Sequence, residues 1–145
     1  MRTITDKNAM SIEKLLEDIS SQLHDYCPDK RRTVSATVLA VEEILLLYRD
    51  KIDEFKASAE VKRDTKKLAV FIDIPGKQYS LNEDLKDEIF IIEGIQKNSD
   101  LLIDYSYKNG CNSIVLIVEK YSMLRDNIAY ALRYVGSNKK ILAKA

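Results

Sequence analysis

The chain has no tryptophan and a single histidine, and it carries only two prolines, two cysteines and four glycines. Each shortage removes a class of chemistry. The one histidine, His24, sits beside Asp25 on a predicted helix. It cannot hold a metal by itself, and no nucleophile stands at a known triad spacing from it. Cys27 and Cys111 lie far apart and make neither a metal-ligand pair nor a redox motif, so two reduced thiols of a cytoplasmic protein is the simpler reading. Gly76, Gly94, Gly110 and Gly136 are scattered. That denies the chain a glycine-rich loop to cradle a triphosphate. Basic and acidic residues balance at 23 each, which leaves no global field for DNA, RNA or an acidic membrane. The longest apolar runs, Ile44 to Tyr48 and Ile114 to Val118, fall well short of the ~18 residues of a membrane span. The opening residues, Met1 to Lys7, lead into no apolar run, so no signal peptide is expected.

What remains is an ordinary globular composition: 145 residues, 46% hydrophobic and 32% charged. That suits one domain with one core. The stretches 1–9 and 138–145 are expected to be flexible ends.

Apolar spacing orders the elements. Ile12, Leu15, Leu16, Ile19, Leu23 and Tyr26 recur at helical intervals after a candidate cap at Ser11, and Pro28 stops that helix. A second helix is predicted from about Arg32 to beyond Phe55, with the stripe Val34, Val38, Val41, Leu45, Tyr48, Ile52 and Phe55 and a neighbouring line Ala36, Ala40, Glu43 and Leu47. This apolar surface is wider than a surface helix needs, which predicts a central helix packed on a sheet and on the first helix. The polar stretch Lys56 to Lys67 reads as a loop. Lys67 to Pro75 alternates as a half-buried strand, with Leu68, Val70, Ile72 and Ile74 on one face and Ala69, Phe71 and Asp73 on the other. Pro75-Gly76 ends it in a turn. Leu81 to Gln96 offers a third helix, with acids in its first turn. Leu101–Lys108 and Cys111–Glu119 form a hairpin about Asn109-Gly110, a pair suited to the two positive φ values of a type I′ turn. That loop sets Lys108 opposite Cys111 and Tyr105 opposite Ile114. A last helix, about Ser122 to Tyr134, closes at Gly136. Helices segregated from strand pairs predict an α+β fold, a two-layer sandwich of helices on one face of a mixed or antiparallel sheet.

Three segments together resemble the GHKL (Bergerat-fold) ATPase domains of histidine kinases and anti-sigma-factor kinases. They are the helix pair joined through Pro28–Thr33 into Ala40–Leu47, the strand and turn Val70–Tyr79, and the hairpin Ile103–Leu116. The resemblance implies a bacterial cytoplasmic domain with ATP and magnesium as cofactors. It aligns Glu43 with the catalytic acid, and Gly76 and Tyr79 with the glycine and aromatic of the nucleotide-binding turn, with Asp73 as the nearest acid. This sequence departs from the family's pattern. Leu47 stands one turn after Glu43, where an asparagine oxygen would hold magnesium, and a leucine offers no ligand to a hard cation. Ile74 occupies the adenine-reading position, and Asp73 is one residue early, which turns it to the opposite face unless a bulge re-aims it. The resemblance therefore implies a degenerate, non-catalytic regulatory or interaction module, with a protein partner or fused domain and a residual pocket for a nucleotide or small ligand. No metal site is read.

Two other readings stand beside it. One is an active kinase or ATPase in which Asp73 or Asp50 replaces the missing ligand. The other is an α+β dimerisation module using Ile128, Leu132 and Val135. Glu42 and Glu43 also fit a solvated helix edge. Lys30, Arg31 and Arg32 fit a phosphate site at a helix start or a soluble connector. Lys62, Arg63, Lys66 and Lys67 lack the interleaved aromatics of a nucleic-acid platform, and no nucleic-acid partner is expected.

Overall fold

A computed structural model describes residues 2–4 and 9–120. The expected helix from Ser122 to Tyr134, its surface of Ile128, Leu132 and Val135, and the tail 138–145 lie outside the described residues. The elements are β1 (Arg2–Ile4), α1 (Ala9–Tyr26), α2 (Arg31–Lys51), β2 (Ala57–Arg63), β3 (Lys67–Pro75), α3 (Phe90–Lys97), β4 (Leu102–Lys108) and β5 (Cys111–Lys120). The strands form one antiparallel sheet in the order β1-β2-β3-β5-β4. The architecture is the two-layer α+β sandwich, with α1 and α2 packed on one face of the sheet.

The core follows from the two periodicities meeting. On α1, Ile12, Leu15, Ile19 and Leu23 are buried; on α2, Val34, Ala40, Val41, Ile44, Leu45 and Tyr48 are buried. From the sheet come Leu68, Val70, Ile72 and Ile74 of β3 and Ile114, Leu116 and Val118 of β5, and all belong to one cluster with the helical residues. Alternate residues of a strand face opposite ways. Phe71, Asp73, Ser113 and Val115 therefore lie on the outer face, where they are half-buried.

Five expectations need correction. The candidate cap Ser11 lies inside α1, which begins at Ala9. The helix α2 ends at Lys51, not beyond Phe55. Ile52 is extended (φ −109°, ψ 121°) although its N–H still bonds to the Tyr48 carbonyl. Ile52 and Phe55 are buried all the same, so the apolar stripe outlives the helix. The stretch expected as a loop contains β2. Ala57, Ala59 and Val61 face the core while Ser58, Glu60 and Lys62 face outward. Alanines have weak strand propensity, and pairing with β3 outweighs it. Asp64 closes the β2–β3 turn by accepting the N–H groups of Lys66 at 2.7 Å and Lys67 at 2.8 Å, which holds its carboxyl below the ordinary range. The third helix is halved, since 81–88 are irregular turns and only Phe90–Lys97 is helical. Asn82, Asp84 and Asp87 are poor helix formers, and such side chains compete for backbone partners; the Asp84 carboxylate takes the Ser80 N–H at 2.8 Å. Finally, Arg2–Ile4, expected within a loose arm, pair with Ala57–Ala59 as an edge strand.

The hairpin has the expected register, Lys108↔Cys111 and Tyr105↔Ile114. Asn109 and Gly110 both take positive φ, 54° and 71°.

Candidate functional site

Two of the aligned residues, Gly76 and Tyr79, lie where the C-terminal half of α2, the turn after β3 and the β4–β5 hairpin converge. The connector 76–89 crosses this place, and its backbone is held by side chains from three directions. From α2, the buried Tyr48 hydroxyl donates to the Tyr79 carbonyl. From β5, the Asn112 amide donates to the carbonyls of Ile74 at 3.2 Å and Lys77 at 2.9 Å. Its oxygen accepts the Tyr79 N–H at 3.0 Å and the Tyr105 hydroxyl at 2.5 Å. From β4, the Tyr107 hydroxyl donates to the Gly76 carbonyl at 2.8 Å. Asn112 is fully buried and uses both amide hydrogens and its oxygen, so it is satisfied. Burial raises the hydroxyl pKa of Tyr48 above its ordinary value, with smaller contributions from Tyr105 and Asp84. Burial likewise raises that of Tyr105, helped by Asp84. Both hydroxyls therefore stay protonated and able to donate.

Gly76 has φ +136°, and a Cβ there would meet the Ile52 side chain at 3.3 Å. Its N–H donates to the Gly110 carbonyl at 2.9 Å, tying the β3 exit to the hairpin tip. Tyr79 is half-buried, with the Lys77 ammonium 5.8 Å from its ring centre. Gly76 and Tyr79 thus share one locale with Tyr48 and Asn112.

Glu43 lies half-buried on α2, and Leu47, one turn on, packs against the core. Asp73 goes elsewhere. It sits on the outer face of the sheet, where its carboxylate accepts the Ser113 hydroxyl at 2.9 Å. The only irregularity between β3 and β5 falls at Leu68/Ala69, so no bulge turns Asp73 toward α2. Its place in a common nucleotide site with Gly76 and Tyr79 is therefore corrected: strand alternation puts it on the opposite face from them. Asp50 is exposed on α2. His24 is exposed on α1, Cys27 is a buried free thiol and Cys111 a half-buried one.

A small cavity lies beside the connector, between it, α3 and β4. The cavity bordered by Leu81, Ile89, Ile92, Gln96, Ile103 and Tyr105 measures about 30 Å³, whereas pockets for small ligands run to about 300–1,000 Å³. A larger cleft, about 860 Å³, opens at the other end of α2. It is lined by Lys30, Arg31, Arg32 and Lys120 and also by Asp29, Asp100 and Glu119. Lys30 is spent on Glu119 at 3.3 Å. Arg32 and Glu43 are eleven residues apart on the helix, or ~16 Å at 1.5 Å per residue. This larger cleft therefore does not include the aligned residues. No group of three or more His, Cys, Asp or Glu among the described residues is arranged to hold a metal.

Sequence reasoning overlooked Asn112 and the hydroxyl of Tyr48. A signal for Asn112 was present: alternation along β5 puts it on the face of Ile114, Leu116 and Val118. A polar side chain at an apolar position marks a buried hydrogen-bonding hub. The role of Tyr48 depends on where the connector runs, which no local pattern reveals.

The chain matches no protein-family model, no curated protein and no solved structure.

Proposed function

We propose that this domain is a non-catalytic interaction or regulatory module on a GHKL-like scaffold, in which the chain's own connector takes the place of a nucleotide. The supporting observation is the closure at the head of the hairpin. Tyr48, Asn112 and Tyr107 bind the backbone of 74–79, and a cavity of about 30 Å³ lies between the rest of the connector, α3 and β4. Phosphoryl transfer depends on positioning and on charge neutralisation by a metal. Leu47 supplies no oxygen one turn beyond Glu43, and Asp73 is on the far face of the sheet. A catalytic acid without a neighbouring metal ligand or a phosphate cradle has nothing to act upon. Glu43 is read as a half-buried helix residue without a catalytic task.

A thermal-shift series with ATP and ADP, each with and without magnesium, tests this. Any ligand of the native state raises stability by mass action, by about 2.7 kcal/mol at one hundred times its Kd. The expected result is an unchanged melting temperature at millimolar nucleotide. A magnesium-dependent rise of several degrees would overturn the proposal and favour an active site with displaced ligands.

A further inference from the structure

The α3 face around Phe90 has the properties of a docking surface. Phe90 is 72% exposed and Ile91 43% exposed, although α3 is otherwise anchored by the buried Ile92. Half-buried Ile89 and Ile95 pack against the core from either side of that anchor. Leu39 on α2 is 45% exposed. The two helices run side by side in opposite directions. Lys51, at the end of α2, pairs with Glu88 just before α3 at 2.8 Å. Arg32, Thr33 and Ala36, near the start of α2, line one pocket with Asn98, Ser99 and Asp100 just after α3. A large aromatic standing almost free on a short helix is the kind of anchor that dominates partner contacts.

The charge around this apolar face leans acidic, although Lys97 stands two helical turns from Phe90 on the same side of α3. From Glu83 to Glu93 the chain has five carboxylates and one cation, Lys86. Asp84 and Glu88 are engaged by Ser80 and Lys51, whereas Glu83, Asp87 and Glu93 are exposed. Glu93 stands one helical turn from Phe90, on the same side of α3. On α2, Glu42 and Glu43 are half-buried and Asp50 is exposed, with the cation Arg49 two turns beyond Glu42. Such a field disfavours a nucleic acid or an anionic bilayer. It also disfavours a second copy of the same face, because a twofold contact would set these carboxylates against one another.

We infer that this face receives a basic amphipathic helix of a partner protein, its apolar side on Phe90 and Ile91 and its lysines or arginines against the surrounding carboxylates. Helix-on-groove recognition of this kind is read through a few apolar anchors, with charge fixing register and steering encounter. The inference rests on the reading of the domain as an interaction module, and it supplies the chemistry of the partner.

The probe is a fluorescent 16-residue peptide of leucine and lysine in an amphipathic helical pattern, with a leucine–glutamate peptide of the same pattern as control. Binding to the full chain is followed by anisotropy at low and high salt. The leucine–lysine peptide is expected to bind and the glutamate control to remain free. Phe90→Ala should weaken binding about tenfold, as loss of a central aromatic anchor does. Glu93→Lys should weaken it several-fold and flatten its salt dependence. Both positions are exposed, and an unchanged melting temperature will show that the variants fold. Equal affinity of wild type and both variants overturns the inference, as does failure of the leucine–lysine peptide to bind at all. A dimer by sedimentation that Phe90→Ala dissolves also overturns it, in favour of self-association. The nucleotide thermal shift is a separate readout. A nucleotide-induced rise with peptide binding intact sinks only the non-catalytic reading, and a flat shift with no peptide binding sinks only the inference about the partner.

Discussion

The two ends of α2 solve opposite problems. At its C-terminal half the helix is covered: Tyr48 is fully buried and its hydroxyl holds the backbone of the connector. At its start the helix is open. No acid stands in the first turn and no side chain caps it, and Lys30, Arg31 and Arg32 crowd its positive end beside a wide cleft. One end buries hydrogen-bonding side chains together with their partners, and the other is wet and electrostatically unfavourable, since cations at a helix N-terminus oppose its dipole. The difference shows where stability resides. A satisfied buried network is costly to break because each orphaned group loses its partner without regaining water. A solvated charge cluster is cheap to alter because water and salt screen it.

The sharpest way to break this contrast is Asn112→Leu. The replacement is close in size but strands the Tyr79 N–H, the Tyr105 hydroxyl and the carbonyls of Ile74 and Lys77. A loss of about 3 kcal/mol is expected, at the upper end for a single substitution because several buried groups are orphaned together. Denaturant unfolding measures it, and a loss below about 1 kcal/mol would mean that water reaches the hub.

Tyr48→Phe removes one donor and leaves the ring. The expected cost is about 1–2 kcal/mol, and it carries a pH signature. Burial holds the Tyr48 hydroxyl above its ordinary value of 10.0 in the folded chain, and the same is true of Tyr105. Above pH 10 the unfolded chain releases these protons while the folded chain keeps them. The stability they contribute is thus complete below pH 10 and declines as pH rises above it, by up to about 1.4 kcal/mol per pH unit for each tyrosine. Chemical denaturation from pH 8 to 11 should give a shallower alkaline decline for Tyr48→Phe than for the parent chain. Equal slopes would mean that Tyr48 ionises as freely folded as unfolded.

At the open end, Lys30→Ala removes the partner of Glu119. The side chains of this pair are 47% and 30% exposed, and a change within about 0.5 kcal/mol is expected. A larger loss would show that the start of α2 is held by more than solvated charge.

How much of this was legible follows the same divide between local and non-local causes. The stripe Ile12–Leu23, the alternation of β3 and the Asn109-Gly110 turn are set by neighbours in sequence, and each reads directly as structure. The strand β2 could not be read that way. Ala57, Ala59 and Val61 alternate, but their small side chains become a strand only by pairing with β3. The end of α2 was obscured for a related reason: Ile52 and Phe55 continue the apolar stripe because the core extends past the helix. At the candidate site, Gly76 and Tyr79 lie in the turn region that Tyr107 and Tyr48 hold. Asp73 does not join them, because an unbroken pleat sends it to the far face. Asn112 and Tyr48 gain their meaning only when α2, the connector and the hairpin meet.

The tip of the hairpin is less independent than its position implies. Turns of this kind are usual places to splice in tags or open new termini, since little else depends on them. Here the Gly110 carbonyl accepts the Gly76 N–H, and two residues beyond the tip Asn112 grips both ends of the β3 exit turn. A graft between Asn109 and Gly110 would pull on a segment more than thirty positions earlier in the chain. For anyone engineering this domain, the far bend of the β-ribbon works as a lever on the connector and makes a poor attachment point.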